Sequence, residues 1–306
     1  MRRLAVAALA LGAAGSVSPP ALPRSALAVW TGSAWQEWWQ SSAAPQQWKA
    51  PDPTLGAALR WRPAAEGVTW AALRLAGSGE AWRTRLIVAR IDPKRVRLRL
   101  DTAFARGSAR AAWSVADARS EAVFAVNAGQ FVRTMPWGWV VLDGRQFLPP
   151  GAAPLSTAVV VDTAGAVRWI SGAALADSAV PDGVAAAFQS YPTLLTADGR
   201  VPAPLRAPGA GVDLAHRDAR LAIGQLRDGT LIVALTRFDG AGTAFDFVPF
   251  GLTTPEMAAV MGALGARDAV MLDGGISGQM LIGGGDAAVR WTGLRKVPLA
   301  LVAVPR

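Results

Sequence analysis

The sequence has no cysteine and a single histidine, His216, among its 306 residues. The lack of cysteine excludes disulfides, thiolate nucleophiles, iron–sulfur clusters and cysteine zinc sites. A single imidazole excludes every metal site that needs two histidines, and it permits a hydroxyl–imidazole triad only if His216 serves in it. Any chemistry in this chain therefore rests mainly on carboxylates, amides, hydroxyls and arginines.

Lysine is also scarce, since only three of the 31 basic residues are lysine, although the net charge is +9. A basic chain can bind nucleic acid when its cationic side chains align along the phosphate backbone. Here the arginines are scattered along the sequence. This distribution favours an unspecialised basic surface, and we predict no nucleic-acid partner.

The N-terminal segment has the composition of a signal peptide. Two arginines precede an uninterrupted apolar run over residues 4–14. This run is too short to cross a bilayer and suits the hydrophobic region of a secretory signal. Residues 26–28 offer a small-x-small cleavage site, and a cut around 15–18 is the alternative. We therefore predict a signal peptide over 1–28, an exported protein that is periplasmic or secreted, and no transmembrane segment in the mature chain.

Tryptophan is concentrated in residues 29–82, which hold eight of the 13 tryptophans and four prolines. This composition predicts a loosely structured N-terminal arm in front of a main domain over 83–306. Tryptophan rings stack on sugars, so one interpretation is a glycan-contacting platform. The interpretation we favour is that the indoles pack the arm onto the main domain, since they bury large areas while keeping the N–H near water.

Strand patterns dominate from about residue 68. Residues 95–101 alternate between apolar side chains and arginines, which is typical of a half-exposed antiparallel strand. The clearest hairpin joins 219–226 to 231–235 through an Asp-Gly turn.

One helix is clearly predicted, because Thr253, Pro255 and Glu256 supply an N-cap, a first-turn proline and a capping-box acid, and Gly265 supplies a stop. Few other segments have helical periodicity. Together these patterns predict an α+β fold with mixed, largely antiparallel sheets and a few packed helices.

The strongest local signal for chemistry lies in residues 272–279. An apolar strand ends in a carboxylate, Asp273, and a glycine-rich segment follows it. Gly274 and Gly275 allow the main chain to approach a ligand closely and to expose N–H donors. A plain Asp-Gly turn is the alternative interpretation of this segment.

Two further strand ends carry polar residues that suit a site. Asn127 ends an apolar strand and is followed by Gly129, although such an asparagine can simply cap a turn. Arg220 begins another apolar strand, where it either binds an anion bidentately or lies at a solvated edge. His216 lies in a polar loop, where a surface role is the more common one, but it is close enough to Arg220 to stay a candidate.

In order and spacing, these segments resemble the phosphodiester glycosidases related to N-acetylglucosamine-1-phosphodiester α-N-acetylglucosaminidase. The likeness runs from about Arg83 to the C-terminus and rests on residues 127–131, 191–199, 220–224 and 251–278. The last segment is the most specific, because it covers a helix, a strand and a loop together. The chain departs from the family pattern at Ala128, Gln130, Leu221, Ile276 and Gly278.

The resemblance implies hydrolysis of a sugar joined through its anomeric carbon to a phosphodiester. It implies that Asp273 acts as a base or electrostatic stabiliser and that Arg220 holds the phosphate. The predicted catalytic residues are Asp273, Asn127 and Arg220, and the predicted substrate-binding residues are Gly129, Gly274, Gly275, Ser277 and His216. We predict a glycan or sugar-phosphate substrate, no metal site and no cofactor, and leave a divalent cation unassigned.

A second carboxylate, which glycoside hydrolysis commonly uses, is not identified by the sequence. Asp143, Asp213 and Asp218 are equal candidates. The alternative function is that of a non-catalytic envelope protein that binds phosphorylated or acidic glycans.

Overall fold

The computed structural model describes residues 25–102, 113–153, 155–175, 180–209, 211–240, 248 and 250–306. Almost all of the predicted signal peptide lies outside these residues. The described residues form 21 strands and three short α-helices, and every strand pairing among them is antiparallel. The antiparallel sheets agree with the sequence prediction. The few helices that were expected are present but short, so the fold is predominantly β with minor helix.

A nine-stranded sheet forms the centre of the molecule. In spatial order its strands are β15 (Thr193–Leu195), β18 (Ala266–Leu272), β16 (Leu221–Leu226), β17 (Leu231–Phe238), β5 (Thr84–Ile91), β4 (Val68–Gly77), β1 (Ala26–Trp30) and β2 (Trp35–Gln40), with β3 (Arg62–Ala65) paired to β4. The predicted hairpin is confirmed, since β16 and β17 pair directly.

Two five-stranded sheets and a two-stranded ribbon complete the β structure. The first sheet has the order β11 (Arg145–Leu148), β10 (Val140–Leu142), β14 (Val184–Ser190), β12 (Thr157–Asp162) and β13 (Val167–Ser171). The second has the order β20 (Val289–Trp291), β19 (Met280–Ile282), β7 (Phe124–Asn127), β21 (Leu299–Pro305) and β6 (Val96–Thr102). The ribbon pairs β8 (Gln130–Val132) with β9 (Met135–Trp137).

The three helices are α1 (Pro53–Ala58), α2 (Gly172–Leu175) and α3 (Thr254–Ala263). Helix α3 begins as predicted, because the Thr253 hydroxyl accepts the Glu256 N–H at 3.3 Å and Glu256 accepts the Thr253 N–H at 2.9 Å. No helix in the described part of the chain is long and apolar enough to cross a membrane.

Both faces of the large sheet are buried along β16 and β17, whose successive side chains point to opposite faces. In β17, Ile232 and Ala234 pack in the core that contains α3, whereas Val233 and Leu235 pack in a second core with the two smaller sheets. The ends of the central strands are therefore held firmly, and the polar residues that follow them have fixed positions.

Residues 29–82 are not loosely structured. They supply β2, β3 and β4 of the large sheet and the last two residues of β1, and β4 pairs with β5 along its length. Packing outweighs the prolines here, since four of the tryptophans, Trp38, Trp39, Trp48 and Trp61, lie in or against the core beside α3. The predicted boundary at residue 82 separates two strands that are neighbours in one sheet.

Candidate active site

The end of β18 is joined to the end of β7. Asp273 follows β18, and its main-chain N–H donates to the carbonyl of Gly129 at 3.0 Å. Gly129 follows β7 and has a positive φ of 69°. Glycine adopts this conformation at little cost, so it lets the chain turn sharply beside Asp273. Two strand ends that are far apart in sequence therefore meet at one place.

The side chain of Asn127 is part of this junction. It is only 1% exposed. Its amide nitrogen donates to the carbonyl of Asp273 at 2.8 Å, and its oxygen accepts the N–H of Gln279 at 2.9 Å. Both ends of the amide thus hold the main chain of the loop 273–279, and this arrangement suits a residue that positions Asp273.

The glycines after Asp273 permit close contact with the start of β16. A Cβ on Gly274 would lie 2.4 Å from the carbonyl oxygen of Ala219, and one on Gly275 would lie 2.8 Å from a carboxylate oxygen of Asp218. The N–H of Gly275 donates to the Ala219 carbonyl at 2.6 Å. This N–H was expected to face a ligand, but it is instead bonded to the segment directly before β16.

Two carboxylates share this region, and both have raised pKa values. Burial raises the pKa of Asp273 above its ordinary value of 3.8, and the negative charge of Asp218 raises it further. Burial likewise raises the pKa of Asp218. A pair of carboxyl groups whose protonated forms are favoured is a common feature of acid–base sites.

The groups around each carboxylate differ. The Ser277 side chain hydrogen-bonds to Asp273, and this bond lowers the Asp273 pKa against the effect of burial. The positive charge of Arg295 also lowers the Asp273 pKa. The charge of Arg220 lowers the pKa of Asp218 against the effect of burial. The N–H of Ala219, which donates to Asp218 at 2.8 Å, lowers it as well. Each carboxylate therefore has its own arginine nearby.

The Arg220 side chain donates hydrogen bonds to main-chain carbonyls of the protein. Its Nε donates to the carbonyl of Leu252 at 2.7 Å, and one terminal nitrogen donates to the carbonyl of His216. The His216 ring is mostly exposed, and its Nε2 lies 3.9 Å from Asp218. Arg220 and His216 therefore belong to the same site, and Arg220 holds the loop that carries Asp218.

A second arginine of this loop makes a buried ion pair. Arg217 donates to the two carboxylate oxygens of Glu256 at 2.7 and 2.8 Å. Glu256 is fully buried and is the capping-box residue of α3. The N-terminus of α3 thus fixes the residue directly before Asp218.

An open pocket of about 490 Å³ lies at Asp218, and its lining residues are Glu80, Ala215, His216, Arg217, Asp218 and Phe250. Phe250 contacts Phe238 edge to face at 5.6 Å between ring centroids, and Phe238 contacts Trp82 in the same way at 5.9 Å. We call these three rings the aromatic row. It extends from the pocket as an apolar wall.

The structure thus connects the predicted site residues Asp273, Asn127, Gly129, Gly274, Gly275, Ser277, Arg220 and His216 through contacts around the ends of β7, β16 and β18. Nothing in the sequence favoured Asp218 over Asp143 and Asp213, and it did not indicate Glu80 and Arg295, which lie near these carboxylates. The signal that was available is the polar segment directly before β16. Among the described residues there is no group of three or more histidine, aspartate or glutamate side chains that could hold a metal ion.

Solved structures share this fold at low sequence identity. A hypothetical protein from Synechocystis aligns with a TM-score of 0.50 and 15% identity, over 80% of this chain and 64% of that protein. The zebrafish N-acetylglucosamine-1-phosphodiester α-N-acetylglucosaminidase catalytic domain, auto-inhibited by its pro-peptide, aligns with a TM-score of 0.57 and 15% identity, over 83% of this chain and 91% of that domain. This chain therefore spans less than two thirds of the Synechocystis protein.

No curated protein sequence matches this chain significantly. A family model does match: the model of the phosphodiester glycosidases covers residues 120–304. That range contains β7, β16, α3 and β18, the elements that carry the site. Because the match spans more than half of the sequence, the chain belongs to the phosphodiester glycosidase family.

Proposed function

We propose that this protein hydrolyses the bond between the anomeric carbon of a sugar and the phosphate of a phosphodiester, with Asp273 and Asp218 as its two carboxylates. The observation that carries the proposal is the pair itself: two partly buried carboxyl groups with raised pKa values, beside Gly275. Membership of the family supports the reaction class.

The reaction asks little of a general acid. The bond from the anomeric carbon to oxygen breaks, the oxygen leaves with the phosphate, and water supplies the hydroxyl of the free sugar. Because phosphate is already a good leaving group, the main needs are a carboxylate close to the developing positive charge and a base for the water. One of the two residues, Asp273 or Asp218, stabilises the positive charge, and the other acts as the base for the water.

In this proposal the phosphate is recognised by arginine side chains. Arg220 was predicted as the phosphate holder, but two of its nitrogens already donate to carbonyl oxygens. In this proposal it contributes charge and holds the Asp218 loop. Arg295, which is exposed and attracts Asp273, is the additional phosphate contact. The aromatic row provides an apolar wall for a sugar ring.

A panel of sugar-1-phosphodiesters tests the function by release of free sugar. We expect Asp218→Asn to lower turnover by about 10²–10⁴-fold, the usual effect of losing an acid–base group. The control is Asp143→Asn, because Asp143 is exposed and has a positive φ that asparagine tolerates. Binding of the panel without any release of sugar would instead favour the non-catalytic glycan-binding protein.

We also propose that the protein is exported and that the leader is cut before Ser25. Cleavage after residue 28 would remove most of β1, in which Leu27 is fully buried and pairs with Gly77. The alternative site around residues 15–18 leaves β1 intact. We expect N-terminal sequencing of the exported protein to begin before Ser25. A mature N-terminus at Val29 would contradict this boundary.

A further inference from the structure

Exposed apolar side chains are concentrated around Asp273. Ten large hydrophobic residues are exposed in the described part of the chain, and five of them lie on segments around this site. They are Val132 at 62%, Met135 at 39%, Tyr191 at 38%, Ile276 at 45% and Leu294 at 64% exposure. We call these five residues the apolar rim. A grouping of this kind on a protein surface commonly marks a binding region.

The segments of the apolar rim are bonded to one another. The N–H of Leu294 donates to the carbonyl of Ile276 at 2.8 Å, and the Arg295 guanidinium donates to the carbonyl of Arg133 at 3.0 Å. The side chain of Gln130 donates to the carbonyl of Tyr191 at 3.0 Å. The rim is therefore one connected surface, and the β8–β9 ribbon is its centre.

The charged side chains on the stretches that carry the apolar rim are all basic. The stretches 130–137, 189–193, 275–280 and 291–297 contain no aspartate or glutamate, and they carry Arg133, Arg295 and Lys296. Arg133 and Arg295 are exposed. Lys296 has Asp117 at 3.9 Å. Aliphatic side chains flanked by exposed arginines are complementary to a surface that is apolar inside and anionic outside.

We propose that the apolar rim docks this protein on an anionic lipid bilayer. Val132, Ile276 and Leu294 enter the boundary between head groups and acyl chains, and the arginines bind the anionic head groups. Tyr191 has the amphipathic ring that favours this interface. A glycan would instead require more hydrogen-bonding groups than these aliphatic side chains provide.

Docking would orient the site. Asp273 hydrogen-bonds to the carbonyl of Gly129, directly before β8, and Arg295 lies over the Phe131 ring at 4.9 Å. The loop that carries Asp273 would therefore face the membrane. Where the proposed function holds, its substrate class is a sugar phosphodiester carried by the lipid surface. Docking itself does not depend on that function.

Sedimentation with vesicles tests the inference on the full chain. We expect at least tenfold tighter binding to equimolar phosphatidylglycerol and phosphatidylcholine than to phosphatidylcholine alone. The double variant Val132→Ser/Leu294→Ser is expected to lose about tenfold of this binding. The control double variant is Trp35→Ser/Phe147→Ser, which removes side chains of 49% and 40% exposure outside the rim and is expected to change binding less than about twofold.

The apolar residues 4–14 can themselves bind vesicles, and every variant contains them. The test is therefore the difference in vesicle binding between the two double variants. Melting temperatures of all variants are measured to show that they fold. Equal losses in the two double variants, or binding that ignores phosphatidylglycerol, would overturn the inference. Release of sugar from soluble phosphodiesters without vesicle binding would leave the proposed function intact, whereas binding without turnover would leave the docking intact.

Discussion

Asp273→Asn is expected to lower turnover of a sugar-1-phosphodiester by about 10²–10⁴-fold and to raise the melting temperature at neutral pH. The loss of turnover follows from the proposed role, since an amide cannot act as a base and carries no charge to stabilise a cation. The gain in stability follows from burial, which makes the ionised carboxylate unfavourable in the folded protein.

The sign of the stability effect follows from the direction of the pKa shift. The pKa of Asp273 is raised above 3.8 in the folded protein, chiefly by burial. Below about pH 3.8 the carboxyl group is protonated in both states, and its contribution to stability is fully present. As the pH rises through the raised pKa, that contribution is lost. Asparagine does not ionise, so the variant avoids this loss at pH 7.

Thermal unfolding over a pH series measures the effect. The difference in melting temperature between Asp273→Asn and the wild type should be positive at pH 7 and should shrink towards pH 3.8. Wild-type turnover should fall on the acid side at a pH above 3.8, because a carboxylate that must be ionised has a raised pKa. Undiminished turnover in the variant would remove Asp273 from the mechanism.

The loop at Asp273 could be predicted because its evidence is local. An apolar strand, a carboxylate and two glycines are adjacent in the sequence. The structure then supplied a reason for the glycines that the sequence could not, namely contact with Ala219 and Asp218.

The partnership of Asp218 with Asp273 could not be predicted, because it depends on strand order. β16 and β18 pair with Leu221 opposite Leu272, so the residues before β16 lie beside the residues after β18. Nothing in the sequence states that these two strands are neighbours, since β17 and α3 lie between them in the chain. Residues 29–82 could not be predicted for the same reason. Their composition indicated a loose arm, but pairing with distant strands places them in the large sheet.

Glu256→Ala is expected to lower the free energy of unfolding by about 3–5 kcal/mol, the usual effect of leaving one partner of a buried ion pair alone. Glu256 is fully buried, and the Arg217 side chain is only 16% exposed. The truncation also removes the acceptor for the Thr253 N–H at the start of α3. Turnover should fall as well, because Arg217 directly precedes Asp218.

Two further variants separate the charge from the helix cap. Glu256→Gln keeps an oxygen for the Thr253 N–H, so it should lose less stability than Glu256→Ala. The double variant Arg217→Met/Glu256→Met removes both charges and should recover part of the loss, since buried ion pairs are often replaceable by apolar side chains of similar size. Urea unfolding at pH 7 measures all three. A loss below about 1 kcal/mol in Glu256→Ala would mean that the pair does not hold the Asp218 loop, because that is the range of exposed salt bridges.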